Sequence, residues 1–152
     1  MKKHFIVLLF FIGVSIANSQ AQLSNELSIL PLLNEGESRY KELVEKNMTI
    51  ARFEIDLVKQ SPNRFTPVKF VPGRPYSVSL IGEYNVINEI ELKINTNLNG
   101  SFVTVSDVKK SSRIIETTFK PDKNEYYEFE IIANKFSAGN KVGRYCLIIA
   151  YD

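Results

Sequence analysis

Apolar and polar residues alternate along most of the chain after position 50, which is the pattern of β-strands. Tyr127, Phe129 and Ile131, for example, alternate with Glu128 and Glu130. Because successive side chains of a strand point to opposite faces, such a segment has one apolar and one polar face. Turn-forming residues separate segments of this kind. The pattern predicts eight strands, near Phe53–Leu57, Phe65–Val71, Tyr76–Leu80, Glu89–Asn95, Phe102–Ser106, Arg113–Phe119, Tyr127–Ile131 and Arg144–Tyr151.

Three local features indicate where strands lie in the sheets. Arg144–Tyr151 is apolar on both alternating sets of positions, so it is predicted to be a central strand. Pro67 lacks an N–H donor, so its strand is predicted to be an edge or to contain a bulge. Asn99 and Gly100 both accept positive φ and predict a hairpin. Eight short strands with turns between them are typical of an all-β sandwich.

Before the strands, the chain has helical periodicity. Within Glu37–Asn47, Tyr40, Leu43 and Val44 share one helix face. Residues 48–59 are ambiguous, because the same residues fit a strand with alternating side chains or a continued helix. The density of β-branched and aromatic residues there favours a strand. The expected architecture is therefore an antiparallel sandwich with a short N-terminal helix.

The beginning of the chain has the pattern of a secretory signal peptide. A basic segment, Met1–Lys3, precedes an apolar run from Phe5 to Ile16, and Ser19 to Ala21 forms a small-x-small cleavage site. The run is too short to span a bilayer. We therefore expect an exported protein in the periplasm or outside the cell, without membrane attachment after cleavage. The predicted organisation is a signal peptide at 1–21, a leader segment at 22–36 and one domain at 37–152.

The composition of the mature chain excludes several functions. Without Lys2 and Lys3, the 19 basic residues fall to 17, equal to the 17 acidic residues, so a nucleic-acid partner is not expected. The only histidine, His4, lies in the signal segment. Catalytic systems that need an imidazole are therefore excluded, and no catalytic residue is assigned. The single Cys146 lies in an apolar segment and is predicted to be a buried free thiol.

Paired carboxylates are the one candidate for a metal site. Each of three predicted strands carries an acidic pair two residues apart: Glu54 and Asp56, Glu89 and Glu91, Glu128 and Glu130. If two of these strands were neighbours, their oxygens could gather around Ca²⁺. The alternative, which we favour, is a solvated face balanced by lysine and arginine side chains. Use of the pairs as a glycosidase acid and base would need a cleft, which nothing in the sequence indicates. No cofactor is therefore expected, although Ca²⁺ is not excluded.

Tyrosines are the candidates for a binding surface. Tyr84, Tyr126 and Tyr151 fall at positions that the alternation does not assign to the core. An exposed tyrosine can stack on a sugar ring or anchor a protein partner. The alternative is the ordinary enrichment of tyrosine in strands.

Several segments from position 70 onward resemble the bacterial pre-peptidase C-terminal (PPC-type) domain. Gly73 and Tyr76 fit the Gly-x-x-Tyr motif that opens this family, and Glu89 and Glu91 stand where the family has aspartates. The similar segments are Phe70–Val78, Asn88–Ile94, Ile115–Pro121, Tyr127–Ile131 and Gly143–Ile149. The resemblance implies a jelly-roll-like sandwich of eight strands that is not catalytic.

Together the resemblance and the missing catalytic groups predict an exported, non-catalytic binding module. Its expected partner is a protein or a polysaccharide. The alternative is an accessory or structural subunit of an exported enzyme or envelope assembly.

Overall fold

A computed structural model describes residues 29–98 and 101–152. This part of the chain contains one helix, α1 (residues 29–45), and eight strands. The segment that the sequence left ambiguous, 48–59, is a strand from Thr49 onward. The strands are β1 (Thr49–Lys59), β2 (Arg64–Lys69), β3 (Tyr76–Gly82), β4 (Ile87–Leu98), β5 (Ser101–Lys110), β6 (Ile114–Phe119), β7 (Tyr126–Phe136) and β8 (Val142–Tyr151).

The strands form two sheets in which every neighbouring pair is antiparallel. Sheet A has the order β1-β8-β3-β6, and sheet B has the order β2-β7-β4-β5. The predicted eight-stranded sandwich with an N-terminal helix is therefore confirmed. β8 lies inside sheet A, as its apolar composition predicts, and β2, which carries Pro67, lies at an edge of sheet B.

The core lies between the inner faces of the two sheets. Its aromatic part is centred on Phe70, whose ring lies 4.5 Å from Tyr76, 5.6 Å from Phe119 and 5.7 Å from both Tyr127 and Phe129, measured between ring centroids. The rings are tilted against one another, which is the favoured geometry of aromatic pairs. The aliphatic part of the core includes Val78, Leu80, Ile90, Leu92, Ile94, Ile115, Ile131, Leu147 and Ile149.

Helix α1 covers the outer face of sheet A. Leu32 and Leu43 are buried against Ile81, Cys146 and Ile148 of that face. The double apolar pattern of β8 follows from this arrangement, because its odd-numbered residues face sheet B and its even-numbered residues face α1.

The helix approaches sheet A most closely at Gly36. A Cβ atom at this position would lie 2.8 Å from the Sγ atom of Cys146 and 3.3 Å from the Cζ atom of Phe53. The predicted burial of Cys146 is confirmed, and burial raises the pKa of this thiol to about 12.

The helix ends earlier than Glu37–Asn47 predicts, and it also includes residues 29–36, which the sequence placed in the leader. Asn47 has a φ of 60°, and the N–H of Met48 donates to the carbonyl of Leu43 at 3.0 Å. A left-handed residue with such a bond is a common helix end. The stretch before Glu37 is helical because Leu32 and Gly36 belong to the same face as Leu43 and pack with it.

Some of the predictions lie outside the described residues. These are the signal peptide at 1–21, the beginning of the leader at 22–28, and the Asn99–Gly100 turn between β4 and β5. The chain divides into a unit Met1–Leu30, of which only Ile29 and Leu30 are described, and a unit Pro31–Asp152, which contains the rest of α1 and all eight strands. Among the described residues, no helix is both long and apolar enough to cross a membrane.

Candidate functional site

The outer face of sheet B is the open face of the sandwich in the described part of the chain. Helix α1 packs on sheet A, whereas on sheet B the outward side chains of β7 are partly exposed and alternate with buried ones. On β7 the outward positions are the even-numbered residues, since Tyr127, Phe129 and Ile131 are buried in the core. This face therefore presents the side chains that can meet a large partner.

Hydrogen-bonded polar side chains form the centre of the outer face of sheet B. Asn63 and Asn95 donate from their Nδ2 atoms to the Glu130 carboxylate at 2.7 and 3.4 Å. The hydroxyl of Thr104 donates to Oδ1 of Asn95 at 2.8 Å. Glu128 is opposite Asn95 in the register of β7 and β4. These bonds hold the amide and carboxylate groups in fixed orientations, with Asn63 and Glu130 half-buried and Asn95 buried beneath them.

Further along β4, Glu91 is the most buried carboxylate of this face, with a side chain that is 8% exposed. Nδ2 of Asn134 donates to it at 2.8 Å, and the ammonium groups of Lys93 and Lys109 lie 3.3 and 3.7 Å away. Burial alone would raise the pKa of Glu91, but the bond from Asn134 and the two lysines outweigh it and lower the pKa below 4.5. Glu91 is therefore a structural anion at neutral pH.

Three exposed aromatic side chains lie around this polar centre. Phe65, Phe102 and Tyr126 are 44%, 59% and 64% exposed. Phe102 is opposite Asn97 of β4, Tyr126 precedes Tyr127, which is opposite Thr96 of β4, and Phe65 is opposite Glu130 of β7. With strands about 4.8 Å apart and a rise of about 3.4 Å per residue, Tyr126 lies roughly 10 Å from Phe102 and roughly 14 Å from Phe65, whereas Phe65 and Phe102 are roughly 20 Å apart. The spacing exceeds the size of one sugar ring.

The four carboxylates considered as metal ligands, Glu89, Glu91, Glu128 and Glu130, do lie on neighbouring strands, β4 and β7. The register nevertheless separates them: Glu130 is opposite Lys93, and Glu89 forms an ion pair of 3.5 Å with Lys135. Among residues 29–98 and 101–152, no group of three histidine, cysteine, aspartate or glutamate side chains is placed to hold a metal ion.

The third acidic pair, on β1, faces the edge between the two sheets. Glu54 accepts bonds from the hydroxyl groups of Tyr145 and Thr66, at 2.7 and 3.2 Å, and from Arg52. Asp56 pairs with Arg64 of β2. Phe53 and Ile55 of β1 lie on the side that faces α1, so the acidic pair does not lie on a solvated outer face as the alternation suggested.

The three tyrosines proposed as binding residues are not brought together. Tyr126 lies on the outer face of sheet B, and the Nζ atom of Lys69 is 5.8 Å from its ring centroid. Tyr151 packs on Tyr76 in sheet A at 5.5 Å and lies under the guanidinium of Arg74, 4.5 Å away.

Tyr84 is in the β3–β4 connection, 56% exposed, with the guanidinium of Arg113 at 5.1 Å from its ring. β3 runs from Tyr76, which pairs with Tyr151, to Gly82. Tyr84 therefore lies at the opposite end of sheet A from Tyr151.

Sequence reasoning did not select Phe65, Phe102 or Asn95. The alternation along β2 could have indicated that Phe65 is exposed, because Phe65 shares its face with Pro67 and Lys69. The residues of the other face, Thr66, Val68 and Phe70, are buried. For Phe102 there was no such signal, since a bulge near Asn95 shifts the register of β5.

No family model matches this chain, and no curated protein matches it. Among solved structures, it is similar to the Yersinia pseudotuberculosis-derived mitogen, with 11% identity, 69% of this chain and 87% of that chain covered, and a TM-score of 0.49. It is similar to a CBM4 structure at 8% identity, with 70% and 79% covered and a TM-score of 0.45. It is also similar to CorA, a surface-associated copper-binding protein of Methylomicrobium album BG8, at 11% identity, with 66% and 93% covered and a TM-score of 0.47. At these identities the likeness concerns architecture alone.

Proposed function

We propose that this protein is an exported, non-catalytic binding module of the PPC type, and that the outer face of sheet B binds a polysaccharide. The observation that carries the proposal is the arrangement of Phe65, Phe102 and Tyr126 around an ordered set of amide and carboxylate groups. A sugar ring has apolar C–H faces and a hydroxyl rim. Aromatic rings can stack on the apolar C–H faces, and fixed amides and carboxylates can form hydrogen bonds with the hydroxyl groups.

The charge of this face indicates the kind of polysaccharide. At one end Glu91 lies near Lys93 and Lys109, and at the other Lys69 lies beside Tyr126. Glu128 and Glu130 of β7 lie between the two ends. Because both signs are interspersed, no strong field of one sign attracts a highly charged polymer. The face is therefore suited to a neutral glycan chain.

The test is affinity gel electrophoresis of the purified protein with neutral polysaccharides, such as mixed-linkage glucan, xylan and galactomannan. Tyr126→Ala is expected to weaken binding roughly tenfold, which corresponds to about 1.4 kcal/mol. Tyr84→Ala is a matched control, because Tyr84 is also exposed and also lies beside a cation, but in the β3–β4 connection. Failure of all the glycans to retard the protein, or an equal effect of the two variants, would contradict the proposal.

A further inference from the structure

Helix α1 has a second apolar face that the rest of the described residues, 29–98 and 101–152, leave partly exposed. One face, with Leu32 and Leu43, is buried on sheet A. The next positions around the helix form what we call the outer stripe: Leu33, Glu37, Tyr40 and Val44. Its three apolar members are 38%, 40% and 45% exposed. A helix that packs on one side only does not need this second set of apolar residues.

The outer stripe borders an open groove of about 410 Å³. Leu33, Glu37 and Tyr40 line it from the helix, and Phe53 lines it from β1. The rings of Tyr40 and Phe53 meet edge to face, with centroids 6.1 Å apart. Leu57, also on the outer side of β1, is 49% exposed. Clustered exposed apolar side chains of this kind mark an interaction site more often than scattered ones do.

We propose that a second copy of this chain occupies this groove, with the two α1 helices antiparallel across a two-fold axis. The stripe positions 33, 37, 40 and 44 have spacings of four, three and four, which read the same in both directions. Antiparallel pairing therefore places Leu33 on Val44 of the second copy, and Glu37 on Tyr40 of the second copy. A two-fold interface requires such a self-complementary patch.

The charges beside the stripe are self-complementary as well. Glu37 pairs with Lys41 of its own chain at 2.6 Å, and both side chains are more than half exposed. In the antiparallel arrangement, Glu37 of each copy lies next to Lys41 of the other, because Lys41 follows Tyr40. An occupant with charge of a single sign would leave one of these two groups opposed by a like charge. The stripe thus fits its own copy better than an acidic or a basic helix.

The dimer is independent of the polysaccharide proposal, since α1 lies on sheet A and the candidate binding face belongs to sheet B. If both proposals hold, each dimer presents two binding faces that α1 does not cover. Linked sites of this kind bind a repetitive polymer more tightly than either site alone.

The first test is sedimentation equilibrium of the purified protein, which is expected to be dimeric at micromolar concentrations. Val44→Glu is expected to give a monomer, because it places a charge in the apolar end of the interface. The matched control is Val71→Glu, since Val71 is similarly exposed, at 52%, and lies in the β2–β3 connection. Thermal unfolding of both variants verifies that they fold. A monomeric parent protein, or the same oligomeric state in the two variants, would overturn the proposal.

The second test uses charge exchange. Glu37→Lys and Lys41→Glu are each expected to weaken self-association at least tenfold, because each homodimer then brings like charges together. An equimolar mixture of the two variants is expected to recover association as a heterodimer, in which every contact of these positions joins opposite charges. Absence of recovery in the mixture would exclude the antiparallel arrangement. The antiparallel arrangement would also be excluded if both variants dimerised as strongly as the parent protein.

Discussion

Glu54 is a carboxylate that the fold both buries and satisfies. Burial pushes its pKa up, but the bonds from Tyr145, Arg52 and Thr66 outweigh burial, so its pKa lies below 4.5. For Tyr145, burial and the bond to Glu54 raise the pKa from 10.0 to about 12. The stability that Glu54 contributes is present above pH 4.5 and is lost as the pH falls through its lowered pKa. The contribution of Tyr145 is present below pH 10 and is lost as the pH rises toward 12.

Tyr145→Phe is expected to lower the free energy of unfolding at pH 7 by about 1.5–3 kcal/mol, because a hydrogen bond to a buried charged group is lost. The variant also brings the pKa of Glu54 closer to 4.5. Its deficit relative to the parent should therefore shrink as the pH falls through the lowered pKa of Glu54 in the parent protein. Urea unfolding at pH 7 and pH 3 measures both effects.

A matched control for this variant is Tyr127→Phe. The hydroxyl of Tyr127 donates to Asp122 at 2.8 Å, but Asp122 is exposed and water can replace the lost bond. We expect a smaller loss of stability for this control. If Tyr145→Phe lowers the free energy of unfolding by the same amount at both pH values, the loss does not come from the hydrogen bond to the Glu54 carboxylate.

At the scale of elements, the position of α1 depends on one missing side chain. Gly36 lets the helix lie directly on Cys146 of β8 and against the ring of Phe53 of β1. The ring of Phe53 also lines the groove beside the outer stripe. Helix propensity alone would favour alanine over glycine at this position. The close approach of helix and sheet explains why glycine is required here.

The new Cβ atom in Gly36→Ala overlaps the Sγ atom of Cys146 in a packed interior, which costs about 1–3 kcal/mol. The gain in helix propensity, about 1 kcal/mol, offsets part of this cost, so we expect a net loss of stability of up to about 2 kcal/mol. In a Cys146→Ala background the same substitution should cost less, since the sulfur is gone. Thermal or urea unfolding of the four proteins in this double-mutant cycle measures the coupling.

Ser38→Ala is the control for propensity, because Ser38 is an exposed position of the same helix. It should be neutral or slightly stabilising. Two outcomes would contradict the observed distance between the helix and β8. One is that Gly36→Ala stabilises the protein. The other is that the changes in unfolding free energy caused by Gly36→Ala and Cys146→Ala are additive.

At the scale of the whole molecule, acidic and basic side chains alternate across both sheets and neutralise one another. Glu130 is opposite Lys93, Glu89 pairs with Lys135, and Asp56 pairs with Arg64. Strand pairing therefore disperses the carboxylates that were candidates for Ca²⁺ and leaves a lysine between them. A calcium site needs several oxygen ligands around one point.

We accordingly expect millimolar Ca²⁺ to leave the melting temperature of the protein unchanged within a degree or so, compared with the same protein in EDTA. Differential scanning calorimetry at constant ionic strength measures this. A Glu91→Gln variant serves as a control, because it removes the most buried of these carboxylates. A calcium-dependent rise of several degrees that disappears in Glu91→Gln would show that the carboxylates do converge on a cation.

The number of strands and their order along the chain, the central place of β8 and the edge position of β2 could be derived from the sequence alone. Each depends on the local period of apolar residues or on the missing donor of Pro67, and such features act within a few residues. The buried thiol of Cys146 also followed from its apolar neighbours. The partner classes, the export of the chain and its PPC-type resemblance remain predictions.

Only the tertiary structure decided which side chains meet. The register of β4 and β7 put Lys93 opposite Glu130, and the packing of α1 on sheet A turned Glu54 toward the edge between the sheets. The same long-range pairings gathered Phe65, Phe102 and Tyr126 from three separate strands onto one face. Pairing between distant segments depends on the energy of the whole sandwich. The local pattern of one segment therefore fixes which residues are buried, but not which residues become neighbours.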